Sequence, residues 1–220
     1  MRGPRWLHRR SLPAPHPRTP WRAAEFCVID LETTGLDLRR DEIVAYGAAI
    51  VCQARIPCGR TAYGLVRPAR SMSVAALKVH GLRAADLADA PTIGETADEL
   101  AGLLANRVVV AHAAWIERAF LNRVLRPRGT ALGRAVLDTA ALLRACRLAD
   151  VDSSRVPDLE TASRALGLPV HTPHHALGDA FTTAQLFLAL ATRLERTRAG
   201  NNPRPLTVRE LCAISRHYSP

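Results

Sequence analysis

Lysine is almost missing from this 220-residue chain: Lys78 stands alone among 30 basic residues, and the rest are arginine. An Arg- and Ala-rich balance of this kind also arises from coding bias, so charge alone is weak support for an anionic partner. No Cys-x-x-Cys occurs among Cys27, Cys52, Cys58, Cys146 and Cys212. That excludes a zinc ribbon, and the odd number argues against a disulfide framework. No apolar run approaches membrane-spanning length. The N-terminal stretch lacks the apolar core of a secretory signal, and Pro4, Pro13, Pro15, Pro17 and Pro20 oppose an amphipathic presequence helix. A cytoplasmic protein with no membrane role is the expectation.

The net charge of +10 is carried by the two ends. Residues 1–22 hold six arginines and no acid, residues 193–220 hold six arginines against two glutamates, and the stretch between is neutral. The expected organisation is a basic Pro/Arg-rich tail over 1–22, disordered or extended, then one domain over 23–195 and a C-terminal extension over 196–220. Hydrophobic residues at 48% suffice for one substantial core. Tails so charged attract nucleic-acid phosphates without reading sequence. Asn201-Asn202-Pro203 begins a turn, and Thr207 is placed to cap a short helix that docks on the body or on a partner.

Strands are expected near 25–31, 43–51, 60–66 and 107–111, with helical segments later, which is an α/β pattern and not a bundle. The chemistry lies in three clusters. Phe26-Cys27-Val28-Ile29-Asp30-Leu31-Glu32 is apolar on both faces until its end, as in a central strand. Side chains repeat every two residues, so Asp30 and Glu32 project from one face. Like charges side by side on a buried edge repel and lose hydration, which a bound cation relieves. A solvated acidic turn is the simpler alternative. Thr33-Thr34-Gly35 then ends the strand, with Gly35 permitting a tight turn where backbone approaches a ligand.

The second cluster, His112-Ala113-Ala114-Trp115-Ile116-Glu117, follows the apolar Val108-Val109-Val110-Ala111 and opens a segment with helical spacing at Ile116, Ala119, Phe120 and Val124. Glu117 falls in the first turn, where an acid also suits the helix dipole. In the third, His174-His175-Ala176-Leu177-Gly178-Asp179, the break at Thr172-Pro173 precedes a long helix with Asp179 near its start and His174 in the loop ahead. Two ordinary loop histidines are the alternative there.

In this order the three clusters resemble the DEDD exonuclease superfamily, in the histidine subgroup that includes the proofreading epsilon subunit of bacterial DNA polymerase III, ribonuclease T and oligoribonuclease. The likeness spans roughly residues 24–192 and extends to Val79-His80-Gly81-Leu82, Asp138-Thr139 and Asp158-Leu159-Glu160. It implies a ribonuclease H-like α/β fold with a mixed central sheet of about five strands, the first three a meander, flanked by helices. It also implies that Asp30, Glu32 and Asp179 hold one divalent metal, that Asp30 bridges to a second with Glu117 as the remaining acid, and that His174 is the general base. The tyrosine subgroup carries its Tyr where this chain has His175.

Oxygen ligands favour Mg²⁺ or Mn²⁺. The implied reaction is two-metal hydrolysis of phosphodiester bonds from a 3′ end, releasing nucleoside 5′-monophosphates. Single-stranded DNA is the first substrate, short RNA the second, and a DNA polymerase a possible partner. Substrate is expected at Thr33, Thr34, Gly35, Val79, His80, His112 and Trp115, with Trp115 either a base platform or core packing. The family's second motif reads His-Asn-Ala-x-Phe-Asp, so Ala113 and Glu117 depart from it. Glu displaces its carboxylate by about 1 Å, which can cost on the order of 10²-fold in rate. A non-catalytic module that keeps the fold is therefore the competing reading.

Overall fold

The computed structural model describes residues 10–133, 136–149, 155–199 and 204–218. The first nine residues of the expected tail and the Asn201-Asn202-Pro203 turn lie outside them. Strands are β1 (Arg10–Ser11), β2 (Glu25–Thr33), β3 (Ile43–Cys52), β4 (Thr61–Leu65), β5 (Val108–Ala111), β6 (Thr130–Ala131) and β7 (Val136–Asp138). Helices are α1 (Val74–His80), α2 (Ile93–Leu104), α3 (Trp115–Leu125), α4 (Thr139–Ala145), α5 (Leu159–Ala165), α6 (Ala176–Ala199) and α7 (Val208–Tyr218).

The five-stranded sheet has the order β4-β3-β2-β5-β7. The first three strands form the expected antiparallel meander, and β5 and β7 add in parallel, so the sheet is mixed. Its apolar strands bury both faces by alternation. Phe26 and Val28 join Val110, Leu137 and the α6 residues Phe187 and Leu190 in one core layer. Cys27 and Ile29 join Val109 with Leu100, Leu104, Phe120 and Leu121 of α2 and α3 in the other. The carboxyl ends of β2, β5 and β7 share one edge, which is where open α/β sheets place their ligands.

Both expected domain boundaries fall inside packed structure. Trp21 is fully buried, sits edge-on to Phe187 at 6.1 Å and donates its indole N–H to Glu195 Oε1 at 2.9 Å. A large apolar ring with one polar atom gains too much from burial to stay in a loose tail. α6 continues past residue 195 to Ala199, and α7 buries Val208, Leu211 and Cys212 against the body. Thr207 and Glu210 cap α7 reciprocally, with the Thr207 N–H on Glu210 Oε2 at 2.9 Å and the Glu210 N–H on Thr207 Oγ1 at 3.3 Å. Several terminal arginines are also paired: Arg22 with Glu195, and Arg198 and Arg204 with Glu210.

One glycine decides how α6 meets the sheet. A Cβ at Gly47 in β3 would lie 2.1 Å from the Leu177 N and 2.2 Å from the Ala176 carbonyl carbon. Only a bare backbone lets the first turn of α6 rest on β3, and backbone atoms cannot swing aside as a side chain tip would. Gly47→Ala should therefore cost about 3 kcal/mol, by analogy with overpacked cores, and lift the helix that carries Asp179. Urea unfolding of the variant checks this; a midpoint within error of the wild type would mean that α6 does not need the close approach.

Candidate active site

Asp30 and Glu32 point to the α6 side of the sheet, and α6 brings Asp179 to meet them in its first turn. One carboxylate oxygen from each of the three lies within 4.8 Å of the others. Glu32 is buried, and Asp30 and Asp179 are partly so. Burial first, and then the charges of Glu117, Glu32 and Asp179, raise the Asp30 carboxyl well above its ordinary value. Burial and Asp179 push Glu32 up to about 7. Burial likewise raises Asp179, partly offset by the His174 N–H, which donates to its Oδ2 at 2.9 Å. An anion cluster so destabilised in its charged form is what a cation of oxygen-ligand preference would neutralise.

Glu117 approaches from α3. It is 5% exposed, and its Oε2 is buried with no hydrogen-bond partner. Burial above all, then Asp138 and Glu32, push its carboxyl up to about 8. It is not part of the three-carboxylate group, yet Asp30 feels its charge. A buried carboxylate oxygen left without a donor among the described residues is an anomaly in a folded protein.

The start of α3 is fixed by Asp138, which the spacing of the sequence did not single out as part of the site. Its Oδ1 accepts the Ala140 N–H at 2.9 Å, capping α4, and the Ala113 N–H at 3.1 Å. Ala113 has φ of 58°, the left-handed region that favours Gly or Asn. His112, expected near substrate, has both ring nitrogens engaged: Nδ1 with Thr139 Oγ1 at 2.8 Å and Nε2 with the Pro157 carbonyl at 2.6 Å. A carbonyl only accepts, so Nε2 carries the proton and Nδ1 accepts from the Thr139 hydroxyl. Burial holds this imidazole below its ordinary value, hence neutral.

The Thr33-Thr34-Gly35 turn is held from within. Thr34 is fully buried; its hydroxyl donates to Asp41 Oδ1 at 2.8 Å, its N–H to the Glu42 carbonyl, and its carbonyl accepts from the Ser73 N–H. A Cβ on Gly35 would sit 2.5 Å from Asp41 Oδ2, so the close approach this glycine allows is to Asp41. Arg123 of α3 donates to the carbonyls of Leu38 and Asp41 at 3.0 and 2.7 Å, tying the loop to the helix that carries Glu117. Asp41 and Arg123 were not legible as site residues, since nothing local marks a loop aspartate that braces a turn six residues away.

Four apolar side chains of α1, α3 and the loop after Gly35 are exposed. Val79 is 52% and Trp115 48% exposed, so Trp115 is not core packing; Leu36 and Val74 are more exposed still. Beside Thr33, His80 accepts the Leu82 N–H at Nδ1, 3.1 Å, which leaves the proton on a buried Nε2 turned to the Thr33 backbone. His174 is exposed at the mouth of the cluster, in a turn where Thr172 and His174 have φ of 30° and 59°. The His175 ring stacks on Tyr63 of β4.

The exonuclease family model matches residues 27–187. A DNA polymerase III subunit epsilon-like protein of Rhodobacter capsulatus is 34% identical over 178 residues, which is 80% of this chain and 25% of that protein. A PolC-type DNA polymerase III of Thermotoga petrophila is 32% identical over 174 residues, 79% of this chain and 12% of its own. The chain thus spans a quarter or less of the length of these two relatives. Among solved structures, Exonuclease X in complex with 5′ overhanging duplex DNA gives a TM-score of 0.64 at 24% identity, covering 86% of this chain and 99% of that one. E. coli Exonuclease I with a dT13 oligonucleotide gives 0.67 at 15% identity, covering 79% and 42%. These two likenesses bear on the fold. With Asp30, Glu32, Glu117 and Asp179 all inside the matched segment, the chain belongs to the exonuclease family.

Proposed function

We propose that this chain is a metal-dependent 3′-to-5′ exonuclease that removes nucleoside 5′-monophosphates from single-stranded DNA, with short RNA as second substrate. The observation that carries the reading is the convergence of Asp30, Glu32 and Asp179 within 4.8 Å, backed by a Glu117 Oε2 without a hydrogen-bond partner among the described residues. Those four residues would hold divalent ions, and Mg²⁺ or Mn²⁺ suits an all-oxygen set. When bound, two such ions activate a water and stabilise the leaving 3′ oxygen.

The chain's own groups supply the rest. His174, exposed beside Asp179, accepts the proton of the attacking water. His80, beside Val79 at the end of α1, faces the terminal nucleotide, and Val79 and Trp115 give its base an apolar surface on which any base face can lie. Thr33, Thr34 and Gly35 set the floor through their backbone, and His112 acts from behind by fixing the start of α3. DNA is placed first because the relatives are DNA polymerase III proteins and the structural neighbours hold DNA. A polymerase partner is part of the same proposal. Five unpaired cysteines suit the cytoplasm, and no helix among the described residues is long and apolar enough to cross a membrane.

A second reading, a binding module that keeps the fold without turnover, is favoured by Glu117 standing outside the three-carboxylate group. Cleavage of 5′-labelled DNA and RNA of equal sequence separates the two. The expected result is a ladder shortening from the 3′ end with Mg²⁺ or Mn²⁺, abolished by chelator and by Asp30→Ala. A silent wild type that gains activity in Glu117→Asp would establish the binding module instead.

Stability should fall with rising pH when no divalent ion is present. Folding raises Glu32 to about 7 and Glu117 to about 8 from an ordinary 4.5. Unfolded carboxyls therefore ionise first. The stability these groups contribute is complete below about pH 4.5 and is lost as pH rises through about 8. With chelator, Tm should fall by roughly 5–10 °C between pH 5 and 8, and Mn²⁺ should restore more at pH 8 than at pH 5. Thermal melts at both pH values test this; a chelated protein that gains stability over that window would show that the acids are not forced together.

A further inference from the structure

Asp30 in β2 lies opposite Gly47 in β3, and Gly47 lies opposite Tyr63 in β4. Directly opposed residues share a face of the sheet. One row therefore runs from a carboxylate, across bare backbone, to an aromatic ring. α6 enters over the bare position, and His175 and Asp179, four apart, lie on one side of its start. Asp179 joins Asp30 and Glu32. His175 lies on Tyr63, ring centroids 4.5 Å apart and planes at 21°.

Between these two anchors sits His174. The left-handed backbone of Thr172 and His174 is unfavourable for residues of their kind, so the turn must be held in shape. The His174 N–H on Asp179 Oδ2 and the His175 N–H on the Thr172 carbonyl do part of this from within residues 172–179. The stack joins the turn to the sheet at β4. Tyr63 is 39% exposed and belongs to neither core layer. Burial first and then the charge of Glu32 raise its hydroxyl above the ordinary value, which puts the ring within electrostatic reach of the acid cluster.

We infer that Tyr63 is a positioning residue for His174: by holding His175 in a ring stack, it fixes the turn that presents the adjacent imidazole to the acid cluster. The inference rests on the reading of His174 as proton acceptor.

Steady-state kinetics on the full chain, with Mg²⁺ and a 5′-labelled single strand, test it in the wild type, Tyr63→Phe, Tyr63→Ala, His175→Ala, His174→Ala and the Tyr63→Ala/His174→Ala double variant. Tyr63→Ala should lower kcat on the order of 10- to 100-fold, as misplacement of a reacting group does, with KM within about twofold. His175→Ala, which removes the same stack from the other side, should match it, and Tyr63→Phe should restore the wild-type rate. The double variant should be no slower than His174→Ala, because a positioning residue has nothing left to position. Losses that multiply in the double variant, or a raised KM with kcat intact, would overturn the inference in favour of direct substrate contact. A wild-type rate in Tyr63→Ala beside an inactive His174→Ala would overturn positioning alone. Full activity in His174→Ala, or none in the wild type, would remove the underlying reading and this inference with it.

Discussion

Mutual repulsion among Asp30, Glu32, Glu117 and Asp179 is the constraint around which the molecule is arranged. Each is raised above its ordinary carboxyl value, with burial the largest cause in every case. Among the described residues none of the four gains an ion pair that would cancel the effect. Elsewhere the same chain pairs its acids readily, as Glu25 does with Arg60 and Arg107, and that carboxyl is lowered. The contrast with Glu25 marks this edge as a place where charge is concentrated and left without a cationic partner among the described residues.

Holding four unwilling carboxylates together falls to apolar packing. β2 is buried on both faces, which fixes Asp30 and Glu32 at its end. α6 carries Asp179 and is anchored along its length by Phe187 and Leu190 and by the Trp21–Glu195 clasp. α3 carries Glu117 and is secured by Phe120, Leu121 and Leu125, fully or almost fully buried. Three elements, each stabilised by burial remote from the charges, thus converge on one point, and Gly47 sets how closely the third can come. Large side chains supply the stability, and the absence of one supplies the geometry.

Local pattern carried a good part of this. The alternation of β2 put Asp30 and Glu32 on one face, helical spacing put Glu117 and Asp179 in first turns, and the meander followed from three closely spaced strands. What stayed hidden depended on register between distant segments. That Asp30, Gly47 and Tyr63 form one row needs two strand pairings that no single stretch encodes. That His112 is held at both nitrogens needs a carbonyl 45 residues away. The tail boundary was misplaced for a related reason: prolines and arginines signal an extended chain, while the burial of Trp21 is decided by α6, more than 160 residues later.

The altered second motif shows how far a site can drift while its frame persists. Ala113 occupies a left-handed position at which a short polar side chain could bond its own backbone and Ala cannot, so the change costs on the order of 1 kcal/mol locally. It does not release α3, because the Ala113 N–H is held by Asp138, a residue that also caps α4 and whose own N–H is bound by Ser215 of α7. The anchor of the motif has thus been taken over by side chains outside it. With the backbone at 113 fixed by Asp138, and α3 tied to the 36–42 loop by Arg123, the longer Glu117 side chain starts from a constrained point and reaches a buried position whose Oε2 has no hydrogen-bond partner. The extra methylene is therefore taken up by the side chain within a fixed frame, and an oxygen in that state has more to gain from a cation than from any rearrangement of the protein around it.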